Sequence, residues 1–267
     1  MAECRGLLNL RIVRYREFES RPLRKNLIFL SYTLRMSLLD FVFPKFCINC
    51  RKFGSYLCSD CFSLASFVQG GFCTVCQKAA IGGLTHPICK NSLTIDGVFS
   101  SLNYTGVVKK LVYQFKYKPH LTNLKDLLTE LFYEGLVQKE TFYKLLQKDA
   151  VFVPIPLFAA KKSKRGYNQS ELLAKGIGEE FGISVVNLLL RAKNTKTQVG
   201  LTQIERKENI KDAFAIKPEF KEVIKKYQQI FLIDDVVTSG ATLKEAAKVL
   251  KKNGVSRVWG VTFAHGN

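Results

Sequence analysis

No GxxxxGK[ST] stretch occurs anywhere in the chain, so the phosphate-cradling loop of the common NTPases is missing. Long apolar runs are missing too. The best candidate, LIFLSYTLRMSLLDFVF at 27–43, is broken by Arg35 and Asp40 and falls short of the ~20 clean residues a membrane span requires. No small-residue cleavage site follows it. These absences point to a cytoplasmic chain with no membrane insertion. Acidic residues are scarce, 22 against 41 Lys and Arg, which leaves a formal charge of +19. The excess is spread along the whole chain. A diffuse basic surface attracts polyanions and phosphorylated small molecules, but lysine-rich surfaces are also commonly just solvated, so charge alone assigns no nucleic-acid role. With 47% hydrophobic and 24% charged residues, the composition excludes both a disordered chain and a membrane bundle. A length of 267 residues exceeds a typical domain and predicts one domain plus a smaller module.

What is present is concentrated. Seven of the eight cysteines lie between 47 and 89, and Cys4 stands apart. They fall in four pairs with two-residue spacing: Cys47 and Cys50, Cys58 and Cys61, Cys73 and Cys76, then His86 and Cys89. Such a pair turns two ligands toward one ion from a tight knuckle, and two pairs complete the tetrahedral shell that Zn²⁺ prefers. Eight ligands therefore predict two structural zinc ions. Sequence-adjacent pairing gives one ion Cys47, Cys50, Cys58 and Cys61, and the other Cys73, Cys76, His86 and Cys89, although a crossed pairing fits the spacing as well. Both shells are closed, which argues for a structural rather than a catalytic metal. Phe53, Tyr56 and Phe72 stand near Arg51 and Lys52, where aromatics could stack on bases or fill the small core of the ribbon; the core reading is favoured.

Beyond the cysteines, elements alternate. LTIDGVFSSLNYTGVVKKLVYQFKY begins as an alternating strand and becomes helical, and LTNLKDLLTELFYEGL has helical spacing. VFVPIP at 151–156 is a short buried strand stopped by prolines, and SELLAKGIGEEFGI is a helix whose GIGEEFG resembles a dinucleotide fingerprint with the wrong spacing. KKYQQIFLIDDVV, ATLKEAAKVLKKNG and VSRVWGVTF form a strand, helix, strand unit, with Gly254 placed to end the helix left-handed. This order predicts an α/β fold with a mostly parallel sheet and a ligand crevice at the strands' carboxyl ends.

The stretch FLIDDVVTSGATL puts Asp234 and Asp235 at that end, directly before a turn of Thr238, Ser239, Gly240, Ala241 and Thr242 at a helix N-terminus. Backbone N–H groups, hydroxyls and the helix dipole there favour a phosphate dianion, and Gly240 permits close backbone approach. Two carboxylates cannot face the same phosphate. They suit vicinal hydroxyls or a Mg²⁺ ion, so a ribose 5-phosphate carries both parts at the right separation. A Walker B strand has the same acid pattern but would need the phosphate loop that is missing.

FLIDDVVTSGATL resembles the phosphoribosyl pyrophosphate (PRPP) signature of type I phosphoribosyltransferases, and the remaining motifs are similar to those of ComF-type competence proteins. RGYNQ at 165–169 looks like the family's RGFNQ segment, Gln198, Arg206 and Asn209 match its Gln, Arg and Asn pattern, and FKYK at 115–118 matches in order and position. The resemblance covers about 37–264. It implies a type I phosphoribosyltransferase-like sheet flanked by helices at 93–267, a double zinc ribbon at 37–92, and a dispensable extension at 1–36, with Met36 as a candidate start. It also implies PRPP with Mg²⁺ as ligand. Asp234 and Asp235 would hold the ribose hydroxyls, Thr238–Thr242 the 5′-phosphate, and Lys161 with Arg165 the leaving diphosphate. These two acids and two bases form the expected catalytic set, and 193–209 would be a flexible loop closing over it.

Beside a plain interaction scaffold, two uses of such a site stay open. One is transfer of phosphoribose to an unidentified acceptor. The other is DNA handling in natural transformation, with single-stranded DNA and other competence or recombination proteins as partners and the PRPP site regulatory or vestigial.

Overall fold

A computed structural model describes residues 44–117, 124–146, 149–194 and 202–266. The 27–43 segment, the 1–36 extension and Gln198 lie outside the described residues. The chain divides into two compact units between Ser63 and Leu64, so the two cysteine quartets fall on different sides of the division.

In the first unit, a knuckle at Cys47–Cys50 is followed by one short helix, α1 (Ser59–Phe62), which carries Cys61. Its backbone is fixed by Cys47 N–H donating to the Lys52 carbonyl and Arg51 N–H donating to the Cys47 carbonyl. Arg51 adopts φ +66° to close the turn.

The second unit begins with a two-stranded ribbon, β1 (Gly71–Phe72) and β2 (Ala79–Ala80), antiparallel. Its main sheet has four strands, all parallel. These are β3 (Gly97–Asn103), β4 (Ala150–Pro154), β7 (Gln229–Val237) and β8 (Arg257–His265), ordered β3, β8, β7, β4. Between them run α2 (Gly106–Tyr117), α3 (Leu124–Val137), α4 (Glu140–Leu145), α5 (Ala159–Arg165) and α6 (Gln169–Phe181). A small antiparallel pair, β5 (Leu189–Arg191) and β6 (Phe214–Ile216), flanks α7 (Gln203–Ile210), and α8 (Ala241–Lys252) joins β7 to β8.

Central parallel strands are covered on both faces and so read as continuous apolar runs. β7 does so through Ile230, Phe231, Leu232 and Ile233, all fully buried. One face belongs to a cluster of aromatic rings in which Phe142 meets Phe99, Phe181 and Phe231 edge to face. On the other face α8 buries Leu243, Ala246, Ala247 and Leu250, the stripe read from its sequence, among Val98, Val153, Ile230, Leu232 and Val258. α8 ends as expected: Gly254 sits at φ +95° and Val255 N–H returns to the Leu250 carbonyl.

One local reading needs correction. The alternation in β3 predicts a half-exposed strand, yet Gly97 through Leu102 are all buried. The polar members are absorbed internally, Ser100 by Thr262 Oγ1 at 2.7 Å and Ser101 by the Phe132 carbonyl at 2.8 Å. The strand holding the acid pair extends past the acids, as KKYQQIFLIDDVV predicts. It runs on to Val237, still paired with β8, while its pairing with β4 ends at Ile233. Asp234 and Asp235 therefore stand where one neighbouring strand has ended and the other continues. The GIGEEFG glycines serve packing: a Cβ on Gly176 would lie 2.2 Å from Thr129 Oγ1 on α3.

Candidate ligand site and zinc clusters

The local sequence explains why the acids are held. Asn168 caps α6, its Oδ1 accepting from Ser170 N–H while its Nδ2 donates to the Ile155 carbonyl. That cap aims Ser170 at the acid pair, and its hydroxyl donates to Asp234 Oδ1 at 2.9 Å. Asp235 N–H donates to the same oxygen, also at 2.9 Å. Asp235 is 5% exposed; Lys116 Nζ lies 3.0 Å from its Oδ1, and its Oδ2 has no hydrogen-bond partner among the described residues. Burial, then the neighbouring Asp235 charge, pushes the Asp234 carboxyl up to about 7, against the pull of Asp235 N–H, Lys116 and Ser170. Lys116 is held charged: Asp235 and Asp234 overcome its burial and raise it.

The turn after the acids has the expected form. Gly240 is the residue before α8 and adopts φ +68°, a left-handed conformation that side chains rarely take. Ala241 and Thr242 open the helix, so Thr238–Thr242 does present a helix N-terminus beside Asp235.

RGYNQ earns its place through position. Arg165 Nη1 donates to Gln169 Oε1, the Arg165 guanidinium lies 5.4 Å from the Tyr117 ring centre, and Tyr167 donates its hydroxyl to the Phe115 carbonyl. These contacts tie α5 and α6 to the end of α2, the helix that carries Lys116. Lys161 is lowered by burial and by the charges of Arg191 and Arg165, so three cations gather here. Arg191 in turn feels the Asp234 charge. Lys116, Ser170 and Arg191 were not among the residues picked from sequence. Lys116 was in view within FKYK, whereas a serine at a helix start and an arginine ending an apolar run carry no separate signal. In the expected flexible loop, Arg206 and Asn209 lie on α7.

The cysteines form two quartets of the sequence-adjacent kind, Cys47, Cys50, Cys58 and Cys61, then Cys73, Cys76, His86 and Cys89. Within each, the ligand atoms lie within 4.8 Å of one another. Cys50 and Cys58 Sγ are 3.4 Å apart, and Cys76 Sγ is 3.3 Å from His86 Nδ1. The second knuckle repeats the first: Cys73 N–H donates to the Lys78 carbonyl, Gln77 N–H to the Cys73 carbonyl, and Gln77 adopts φ +62°. His86 turns Nε2 to the Ala79 carbonyl at 2.9 Å, which orients Nδ1 toward the sulfurs as a metal-bound histidine requires. Although burial alone would raise Cys47 and Cys73, backbone N–H groups of the knuckles bring each down to about 6. Closed quartets of thiolates and imidazole with oriented outer partners fit zinc in both places.

Phe72 is not available for base stacking. Its ring stacks on His265 at 4.0 Å between centroids. Phe53 is half-exposed and packs edge to face on exposed Phe46 at 5.8 Å. Among the described residues, no helix is long and apolar enough to cross a membrane.

Comparison with known proteins supplies independent support. Residues 38–92 match the model of the double zinc ribbon domain. Competence protein F of Haemophilus influenzae is 28% identical over 237 residues, covering 80% of this chain and 99% of that protein. The DNA utilization protein YhgH of Salmonella typhimurium is 28% identical over 219 residues, 76% of this chain and 93% of its own. Competence protein ComFC of Bacillus subtilis is 25% identical over 213 residues, 74% and 79% respectively. The double ribbon, and the similarity to competence protein F and ComFC over 80% and 74% of the chain, support assignment to the ComF family.

Proposed function

We propose that the crevice beside Asp234 and Asp235 binds a phosphoribosyl ligand, ribose 5-phosphate or PRPP, and that the chain serves competence or DNA utilisation, as the names of its relatives say of them. Asp235 carries the ligand half of this reading. A buried carboxylate oxygen without a partner costs on the order of 1–3 kcal/mol or more, and a sugar hydroxyl is a donor that would offset it. Asp234 and Asp235 would take the ribose hydroxyls, and Thr238, Ser239, Gly240, Ala241 and Thr242 the 5′-phosphate. Lys161 and Arg165, with Arg191 beside them, would neutralise the diphosphate.

If transfer occurs, the acceptor attacks C1′ as the bond to diphosphate breaks, so positive charge grows on the sugar and negative charge on the leaving group. The carboxylates suit the first and the basic cluster the second. Mg²⁺ bound with PRPP would add charge neutralisation at the diphosphate. Residues 193–209, including Gln198, Arg206 and Asn209, would close over the ligand and exclude water.

The second reading is single-stranded DNA handling with the phosphoribosyl site as a sensor. It is favoured by the exposed Phe46 and Phe53 pair beside Arg51, since sequence-tolerant binding of single strands uses aromatic stacking next to positive charge. One pair of titrations tests both readings: Mg²⁺ and PRPP, then single-stranded DNA, each beside an Asp234→Ala/Asp235→Ala variant. Loss of PRPP binding with DNA binding retained is expected. A double variant that binds PRPP like the parent would overturn the ligand assignment.

A further inference from the structure

The Ser239–Gly240 corner packs against Thr74 and Gln77 of the Cys73–Cys76 knuckle. Gln77 Nε2 donates to the Ser239 carbonyl at 3.3 Å and to the Thr74 carbonyl at 2.7 Å. Lys244, one turn into α8, donates from Nζ to the Thr74 carbonyl at 2.9 Å. A Cβ on Gly240 would lie 3.0 Å from Thr74 Cγ2, so the turn's backbone already rests on that methyl group. Phe72, just before the knuckle, stacks on His265, which pairs with Val237 at the end of β7. Thr74 is 1% exposed and lies between two ligands of one shell, Cys73 and Cys76.

We infer that the Cys73–Cys76 knuckle is a wall of the phosphate turn, with Thr74 and Gln77 as positioning residues that fix the Ser239–Gly240 corner in its ligand-ready form. This rests on the proposed phosphate role of Thr238–Thr242. The physical reason is the conformation of Gly240. A glycine at φ +68° has the widest choice of alternative backbone states, so a turn built on it needs an outside constraint to keep its N–H groups converged. The knuckle supplies that constraint. The metal shell locks the backbone at both Cys73 and Cys76, and the carbonyl of Thr74 and the amide of Gln77 pass that rigidity to the turn. Zinc in this quartet therefore bears on ligand affinity without touching the ligand, and loss or oxidation of its thiolates would loosen the turn.

The experiment measures ribose 5-phosphate affinity calorimetrically, zinc by elemental analysis, and amide hydrogen exchange across 238–242, all on the full chain. Thr74→Ser, which deletes the methyl contact, and Gln77→Ala are expected to keep the parent's zinc content while weakening ribose 5-phosphate roughly three- to tenfold and speeding exchange at 238–242. Thr74→Val keeps the methyl and removes a buried hydroxyl with no hydrogen-bond partner, so it should restore parental affinity. Lys78→Ala, on the same knuckle but making only backbone contact there, should change neither readout. His86→Ala, which opens the second shell, should weaken binding more than tenfold. Parental affinity and exchange in Thr74→Ser and Gln77→Ala would overturn the inference. If the parent chain binds no ribose 5-phosphate, the ligand reading fails by itself. Exchange at 238–242 then decides the coupling: faster exchange in the variants upholds it, and unchanged exchange overturns it.

Discussion

At the residue scale the site turns on one buried, half-satisfied carboxylate beside one whose proton is hard to lose. Asp235 has one oxygen on Lys116 and one without a hydrogen-bond partner among the described residues, so a ligand hydroxyl donating there should show a large effect. Ribose 5-phosphate is expected to bind about ten- to hundredfold more tightly than 2-deoxyribose 5-phosphate, the value of one buried hydrogen bond to a charged group at ~1.5–3 kcal/mol. Asp235→Asn should shrink that gap, and equal affinities would exclude hydroxyl recognition. Asp234 adds a pH signature, because its folded value of about 7 lies above the ordinary 3.8. A raised carboxyl keeps its proton in the folded state after the unfolded chain has lost it. Its ionisation therefore costs stability as pH rises from about 4 to about 7, and then no further. Asp234→Asn should flatten the stability profile in that window. Mg²⁺-dependent PRPP binding, which needs the ionised form, should rise about tenfold between pH 6 and pH 8. A flat profile in the parent would remove Asp234 from metal or ligand contact.

Elements show where the sequence was legible and where it was not. β7, α8 and β8 were readable because strand periodicity, helix periodicity and a left-handed glycine all agree over one stretch, and the acid pair lies inside it. The zinc quartets were readable because ligand spacing is local: each knuckle closes within six residues, from Cys47 to Lys52 and from Cys73 to Lys78. β3 misled because Ser100 and Ser101 look solvent-facing until Thr262 and the Phe132 carbonyl, distant in sequence, absorb them. Lys116, Ser170 and Arg191 were hidden for the same reason, since their roles exist only once α2, α6 and β5 converge on β7. Gly240 was read for close backbone approach to a phosphate, whereas the close approach seen among the described residues is to Thr74, which no local signal announces. Gly240→Val is expected to abolish ribose 5-phosphate binding, since a β-branched residue at φ +68° costs about 1–2 kcal/mol or more before its Cβ meets Thr74. Gly240→Asn, which tolerates that φ, should retain more. Parental binding in the valine variant would show that the turn is not the phosphate site.

On the scale of the whole molecule, a charge of +19 would attract both proposed ligands, and salt would separate them. A single strand held through its backbone releases counterions, so its affinity falls with salt with a log–log slope of about 0.7 per phosphate neutralised. A small ligand gripped by buried carboxylates and backbone N–H groups is screened far less. Single-stranded DNA binding is therefore expected to fall steeply from about 50 to 200 mM salt, while ribose 5-phosphate binding changes only a few-fold. Stacking and charge are also separable. Phe46→Ala and Phe53→Ala would remove the proposed base contacts, worth ~1–3 kcal/mol each, but no phosphate contact, so they should lower DNA affinity at every salt concentration with the slope preserved. Arg51→Ala removes charge instead, and should reduce the slope. A DNA affinity untouched by the phenylalanine variants, with its slope intact in Arg51→Ala, would move the proposed nucleic-acid surface away from the first zinc ribbon.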